Sequence, residues 1–256
     1  MVMQHRGLGG MLKGALRILY PPQCLSCGNA VAGETGLCAP CWAETQFIAG
    51  PCCGRCGSPL PADGEADANR PKDAQLVCDD CLVIARPWRH GRATMVYAGT
   101  GRQLVLALKH ADRPDLAPAL GDWLARTAAP LIRPGMIVVP VPVHPWRLLK
   151  RKYNQSELLS AHVARAYDLR HCPEVLYRTR HSEGQDHKGV SDRFANVAGT
   201  IAVSRRHTAR IEGCAVLLVD DVMTSGATLA QAAEALRAGG SGPISVAVVA
   251  RAVKDH

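Results

Sequence analysis

Residues 216–229, VLLVDDVMTSGATL, constrain this chain more than any other stretch. Val216, Leu217, Leu218 and Val219 form an unbroken apolar run of strand length. Such a run, bounded by turn residues, marks a strand buried on both faces. Asp220 and Asp221 stand where that strand is expected to end. Thr224, Ser225, Gly226, Ala227 and Thr228 follow, small and mostly hydroxylated, ahead of a helical pattern from Leu229 to Ala238. A strand, an acidic pair and a small-residue turn opening a helix make a site for a sugar phosphate. Free N–H groups and the helix dipole hold the phosphate. Carboxylates accept hydrogen bonds from a vicinal diol.

The stretch sits in a longer alternating pattern. Strands are expected at Ala93–Ala98, Met136–Val143 and Ile244–Ala250, with helices at Gly101–His110, Asp115–Ala128 and Asn154–Tyr167. Pro140 and Pro142 end regular pairing in the second of these strands. Val175–Thr179 and Thr200–Val203 read as short strands. Strands alternating with helices imply an α/β fold with a parallel, doubly wound sheet. Ligands in such sheets bind beyond the carboxyl ends of the strands, where Asp220 and Asp221 fall.

Cysteine usage separates the front of the chain. Nine of the eleven cysteines lie in the first 81 residues. Eight of them form the pairs Cys24-x-x-Cys27, Cys38-x-x-Cys41, Cys53-x-x-Cys56 and Cys78-x-x-Cys81, enough thiolates for two tetrahedral, structural Zn2+ sites. Gly28 and Gly57 follow two of the knuckles, where a tight turn needs a permissive backbone. Consecutive pairing of the knuckles is favoured because the first closing loop is short; interleaved pairing stays open. Cys52 is an alternative ligand beside Cys53, while Cys172 and Cys214 are expected as buried small residues. The composition changes near Pro87-Trp88, so a zinc-ribbon module is expected over residues 1–90 and an α/β unit over 91–256.

No apolar run reaches the ~20 residues that span a bilayer. Residues 11–20 carry Lys13 and Arg17, so they read as a docked amphipathic helix rather than a leader, and a cytoplasmic location is expected. The formal charge of +8 fits an anionic ligand. Arg147, Lys150, Arg151 and Lys152 put four cations within six residues after the 136–143 strand, a candidate cradle for a diphosphate.

Residues 216–229 resemble the phosphoribosyl-pyrophosphate (PRPP) signature of the type I phosphoribosyltransferases. With the Val139–Pro142 VPVP run, the Arg151-x-Tyr153-Asn154-Gln155 element and the cysteine array, the chain resembles the ComF family from about Leu19 to Ala250. Lys109, Gln185, Arg193 and Asn196 match it further. The resemblance implies a phosphoribosyltransferase-like domain behind a double zinc ribbon, linked to natural competence and DNA uptake. It implies that Asp220 and Asp221 contact the ribose hydroxyls, that Thr224 to Thr228 wrap the 5′-phosphate, and that Arg147, Arg151 and Lys109 meet the diphosphate with Mg2+. The family has glycine where Lys152 stands, and a lysine would be strained there if the position is left-handed.

Two functions follow from these expectations. One is a PRPP-dependent transferase, or a non-catalytic PRPP sensor, with an acceptor that the sequence does not reveal. No residue declares itself as general base, although His110, His144 and His187 are candidates, and residues 180–200 are the expected acceptor hood. The other is a single-stranded-DNA-binding competence protein, acting with other competence proteins, in which Trp146 and Tyr153 stack on bases.

Overall fold

The computed structural model describes residues 21–31, 36–61, 76–110, 112–179 and 199–253, with the side chains of Arg147, Lys150 and Arg151 excepted. The expected helix at 11–20, the acceptor hood with Gln185, His187, Arg193 and Asn196, and most of the 57–77 loop lie outside these residues.

A five-stranded parallel sheet forms the centre. In chain order its strands are β1 (His90–Val96), β2 (Ile137–Pro140), β3 (Arg170–His171), β6 (Val216–Met223) and β7 (Ile244–Arg251). Their spatial order is β1-β7-β6-β2-β3, and every pairing is parallel. The short strands β4 (Leu176–Arg178) and β5 (Ile201–Val203) pair with each other, antiparallel, as a separate ribbon. The prolines of the VPVP run act as expected: β2 stops at Pro140, and Val141 adds one last bond, donating to the Val219 carbonyl at 2.9 Å.

Side-chain alternation builds two cores from these strands. Leu217, Val219, Val138, Ala247 and Val249 face α3 (Gly99–His110), α4 (Ala117–Ala128) and α6 (Gln155–Ala166). Val216, Leu218, Ile137, Val139, Val246 and Val248 face α7 (Ala227–Ala238). Both faces of the sheet are covered, which is why β6 and β7 read as continuous apolar runs. Between them, α5 (Pro145–Arg151) follows β2 where a basic loop was expected.

The cysteine-rich segment straddles the β1 edge of the sheet. Its two short helices, α1 (Ala39–Glu44) and α2 (Asp79–Val83), each carry one ligand of a knuckle. Leu25, Leu37 and Phe47 pack on the α3 face, whereas Cys53, Cys56, Cys81 and Trp88 join the core on the α7 face. The link between the two ribbons closes the edge. Ile48 donates to the Thr94 carbonyl (2.9 Å), Val96 donates to the Gln46 carbonyl (2.9 Å), and Gly91 donates to the Gly54 carbonyl (2.8 Å). An edge that would otherwise offer unpaired N–H and C=O groups is thereby satisfied. Two glycines allow the approach. A Cβ on Gly57 would stand 2.4 Å from the Ala93 nitrogen, and one on Gly91 would stand 2.3 Å from the Arg55 carbonyl oxygen.

Gly91→Ala should therefore push the second ribbon off β1. The expected loss is about 1–3 kcal/mol, as for other overpacked sites. A urea midpoint that stays unchanged in the variant would contradict it.

Candidate functional site

Strand β6 runs further than its apolar start, so Asp220 and Asp221 lie within it rather than beyond it. The two carboxylates take different partners. Asp221 is 6 % exposed and faces α3, where the Lys109 ammonium lies 2.9 Å from its carboxylate. Asp220 borders the turn. Its Oδ1 accepts from the Ser156 hydroxyl (2.8 Å) and from the Asp221 N–H (2.9 Å). Asp220 is partly exposed as a residue, yet its carboxyl group is largely surrounded by protein. Burial, with the Asp221 charge next to it, pushes that carboxyl up to about 7 against the opposing influence of Lys109.

The turn that follows has the shape the small residues foretold. Gly226 caps α7 with φ +82, a left-handed position that favours glycine. Ala227 and Thr228 open the helix, and Ser225 Oγ accepts weakly from the Ala227 N–H at 3.4 Å. Asp220, Val222 and residues Thr224 to Leu229 line an open cavity of about 50 Å3, room for a few waters or one phosphate group. Thus Asp220 and the turn share one cavity, while Asp221 pairs with Lys109 of α3 beside it.

The basic segment begins with His144, whose Nδ1 accepts from the Trp146 N–H at 3.3 Å as it caps α5. The side chains of Arg147 and Arg151 lie outside the described residues. Lys152 ends α5 in the left-handed conformation, φ +66, so the position that carries glycine in the family is indeed left-handed. Its ammonium pairs with Asp112 at 2.6 Å. Asn154 caps α6, accepting from the Ser156 N–H (3.1 Å) and donating to the Val141 carbonyl (3.2 Å). It thus places Ser156 against Asp220, a role that spacing alone did not show. Tyr153, expected as a stacking ring, instead packs into the core and donates its hydroxyl to the Leu108 carbonyl (2.7 Å). Trp146 is 72 % exposed.

The eight paired cysteines close into two sites. Cys24, Cys27, Cys38 and Cys41 form one, and Cys53, Cys56, Cys78 and Cys81 the other, with all four sulfurs of each within 4.8 Å of one another. Tetrahedral Zn–S bonds of ~2.3 Å put sulfurs roughly 3.8 Å apart. The Cys27–Cys38 and Cys56–Cys78 sulfur pairs, both at 3.6 Å, fit that spacing. These are two four-cysteine zinc-binding sites with consecutive pairing. Cys52 belongs to neither, and its backbone pairs antiparallel with that of Pro59. Cys172 is buried, and Cys214 is partly so.

Residues 15–82 match the double zinc ribbon domain, and residues 159–255 match the phosphoribosyl transferase domain. Competence protein F of Haemophilus influenzae is 28% identical over 246 residues, which cover 90% of this chain and 97% of that protein. The likeness to competence protein F runs along nearly the whole of both chains. DNA utilization protein YhgH of Escherichia coli K12 is 29% identical over 90% of this chain and 96% of its own length. Competence protein ComFC of Bacillus subtilis is 25% identical over 78% of this chain and 77% of its own. A weaker likeness, TM-score 0.39 at 18% identity, relates 56% of this chain to 30% of an allosteric regulatory enzyme of purine biosynthesis. The double zinc ribbon match and the phosphoribosyl transferase match thus lie in one chain that is similar to competence protein F along most of its length. Among the described residues no helix is long and apolar enough to cross a membrane.

Two measurements check the site. Elemental analysis should find about two zinc ions per chain, falling to about one in Cys27→Ser, whose site would keep only three thiolates. The second concerns pH. Asp220 rises on folding from 3.8 to about 7, so between those values the folded chain binds more protons than the unfolded one. Stability therefore falls as pH rises through that window. Asp220→Asn should remove this slope, and its denaturant midpoint should gain on the wild type from about pH 4 to pH 7.

Proposed function

We propose that this chain is a competence and DNA-utilization protein whose phosphoribosyl transferase-like domain binds PRPP or another ribose phosphate at the turn after β6. One observation carries the reading: Asp220 and the left-handed Gly226 turn line the same cavity at the carboxyl edge of a parallel sheet. The names of the relatives, competence protein F and DNA utilization protein, support the cellular context.

In this reading the N–H and hydroxyl groups of Thr224 to Thr228 hold the 5′-phosphate. Asp220 accepts from a ribose hydroxyl, and Asp221 keeps Lys109 beside the site. Lys109 is partly exposed and exchanges its carboxylate partner for a diphosphate oxygen, joined by Arg147 and Arg151. Transfer to an acceptor would break the C1–O bond to diphosphate and form a bond from C1 to the acceptor nucleophile, with pyrophosphate leaving. Mg2+ arriving on the diphosphate would neutralise the charge that builds there. The protein works in the cytoplasm, where PRPP is made and thiolates stay reduced.

Single-stranded DNA is the second ligand class, favoured by exposed Trp146 at the start of the basic helix and by the relatives' names. One titration design separates the two. Isothermal titration with PRPP and Mg2+ should give saturable heat that Asp220→Ala weakens by about tenfold or more, the loss of one charge-assisted hydrogen bond. Heat from a single-stranded oligonucleotide alone, falling steeply with salt, would transfer the site to nucleic acid. An unaffected Asp220→Ala would falsify the ribose assignment.

A further inference from the structure

Two buried arginines connect the second zinc site, that of Cys53, Cys56, Cys78 and Cys81, to the turn. Arg86 is 6 % exposed. Its Nε donates to Cys81 Sγ at 3.4 Å, and its Nη1 donates to the Ser225 carbonyl at 2.6 Å. It lies directly beneath the turn glycine, since a Cβ on Gly226 would stand 2.7 Å from Nη1. Trp88 stacks under the guanidinium at 5.5 Å and is itself held by the knuckle, donating Nε1–H to the Arg55 carbonyl at 2.6 Å. Arg251 is 2 % exposed. Its Nη1 donates to the Met223 carbonyl (3.2 Å) and the Thr224 carbonyl (2.6 Å), and its Nη2 lies 3.7 Å from Asp80, which stands between Cys78 and Cys81.

Three successive carbonyls, those of Met223, Thr224 and Ser225, are therefore turned toward guanidiniums anchored in the second ribbon. The peptide plane is rigid, so each N–H that follows must point the opposite way. Those N–H groups belong to Thr224, Ser225 and Gly226, three of the residues that line the cavity. The arginines in turn need a counter-charge, because a guanidinium buried without one is costly. A bound zinc supplies it indirectly. It keeps the thiols deprotonated, and a Zn2+ with four thiolates carries a net charge of −2. The first zinc site lies on the other face of the sheet, where Ser26 bonds to Gln103 of α3 at 3.2 Å.

We infer that Arg86 and Arg251 are positioning residues for the phosphate turn, and that metal in the second zinc site, but not in the first, sets the shape of that turn. The inference rests on the ribose-phosphate reading only for its consequence, ligand affinity. The coupling itself is a property of the fold.

Hydrogen exchange read by mass spectrometry on the zinc-loaded full chain tests it without any ligand. Three variants are compared: Arg86→Gln, Cys78→Ser, which disables the second site, and Cys38→Ser, which disables the first. Amides whose bonds end on the turn, Ala230 to the Gly226 carbonyl and Ala252 to the Met223 carbonyl, should exchange about tenfold faster in Arg86→Gln and Cys78→Ser, and at the wild-type rate in Cys38→Ser. Arg86→Gln should keep about two zincs per chain, and protection of β2 and the start of β6 should persist in all three. Equal turn exchange in wild type, Arg86→Gln and Cys78→Ser overturns the inference, as does equal loosening by Cys38→Ser. Should either informative variant fail to fold, the unmodified chain provides another arm. By linkage, saturating PRPP should raise the affinity for one of the two zincs several-fold, read by equilibrium competition with a chelator. Unchanged zinc affinity with PRPP bound also overturns the coupling. Loosening in the variants without any PRPP heat from the wild type would instead remove the ribose-phosphate reading and leave the coupling standing.

Discussion

Burial of β6 on both faces is the constraint on which the site depends. Leu217 and Val219 fill one core, and Val216 and Leu218 fill the other, so the strand can neither slip nor turn without exposing one set. Parallel pairing to β2 and β7 on either side holds its register. The first residues free of this packing are Asp220 and Asp221. Different neighbours, Ser156 of α6 and Lys109 of α3, give two identical side chains different work. Asp221 is matched with Lys109, and Asp220 borders the turn cavity. The raised carboxyl of Asp220 results first from its burial and then from the Asp221 charge beside it.

The zinc ribbons solve a second problem, the exposed edge at β1. A short module has little apolar surface of its own, so metal coordination must supply much of its stability. Here that module shares its stability with the domain. It pairs with β1 through the 46–54 segment and contributes Cys53, Cys56, Cys81 and Trp88 to the core on the α7 face. The aromatic contacts of Trp42 and Phe47 with Trp123 of α4 join the first ribbon to the other face. The two ribbons thus clamp the sheet from both sides rather than hang beside it.

Much of this was legible in the chain itself. The Cys-x-x-Cys spacings placed all eight ligands, because two residues between sulfurs suffice to aim both at one ion. The 216–229 pattern located the strand, the small-residue turn and the helix, since each follows from local chemistry, while the left-handed Gly226 and the run of the strand past the acidic pair came only from the structure. The glycine-to-lysine departure at Lys152 mattered only if the position was left-handed, and the structure shows that it is, at φ +66. Less legible was the basic stretch after β2. Charge density suggested a loop, but Pro145 at the first turn and the His144 cap start a helix there. Tyr153 could not be sorted from sequence either, because an aromatic beside arginines looks alike whether it faces solvent or core.

What the sequence alone determined is therefore local: metal ligands, strand and turn identity, and the acidic pair. These depend on neighbours a few residues away. Tertiary structure decided the rest. The division of labour between Asp220 and Asp221 depends on the packing that brings Ser156 of α6 to one and Lys109 of α3 to the other. The tie between Cys81 and Ser225 through Arg86 joins residues far apart in sequence. Arg86 and Arg251 showed no motif at all, because a buried guanidinium is defined by the carbonyls and thiolates that surround it in space, and those are brought together only when the sheet closes.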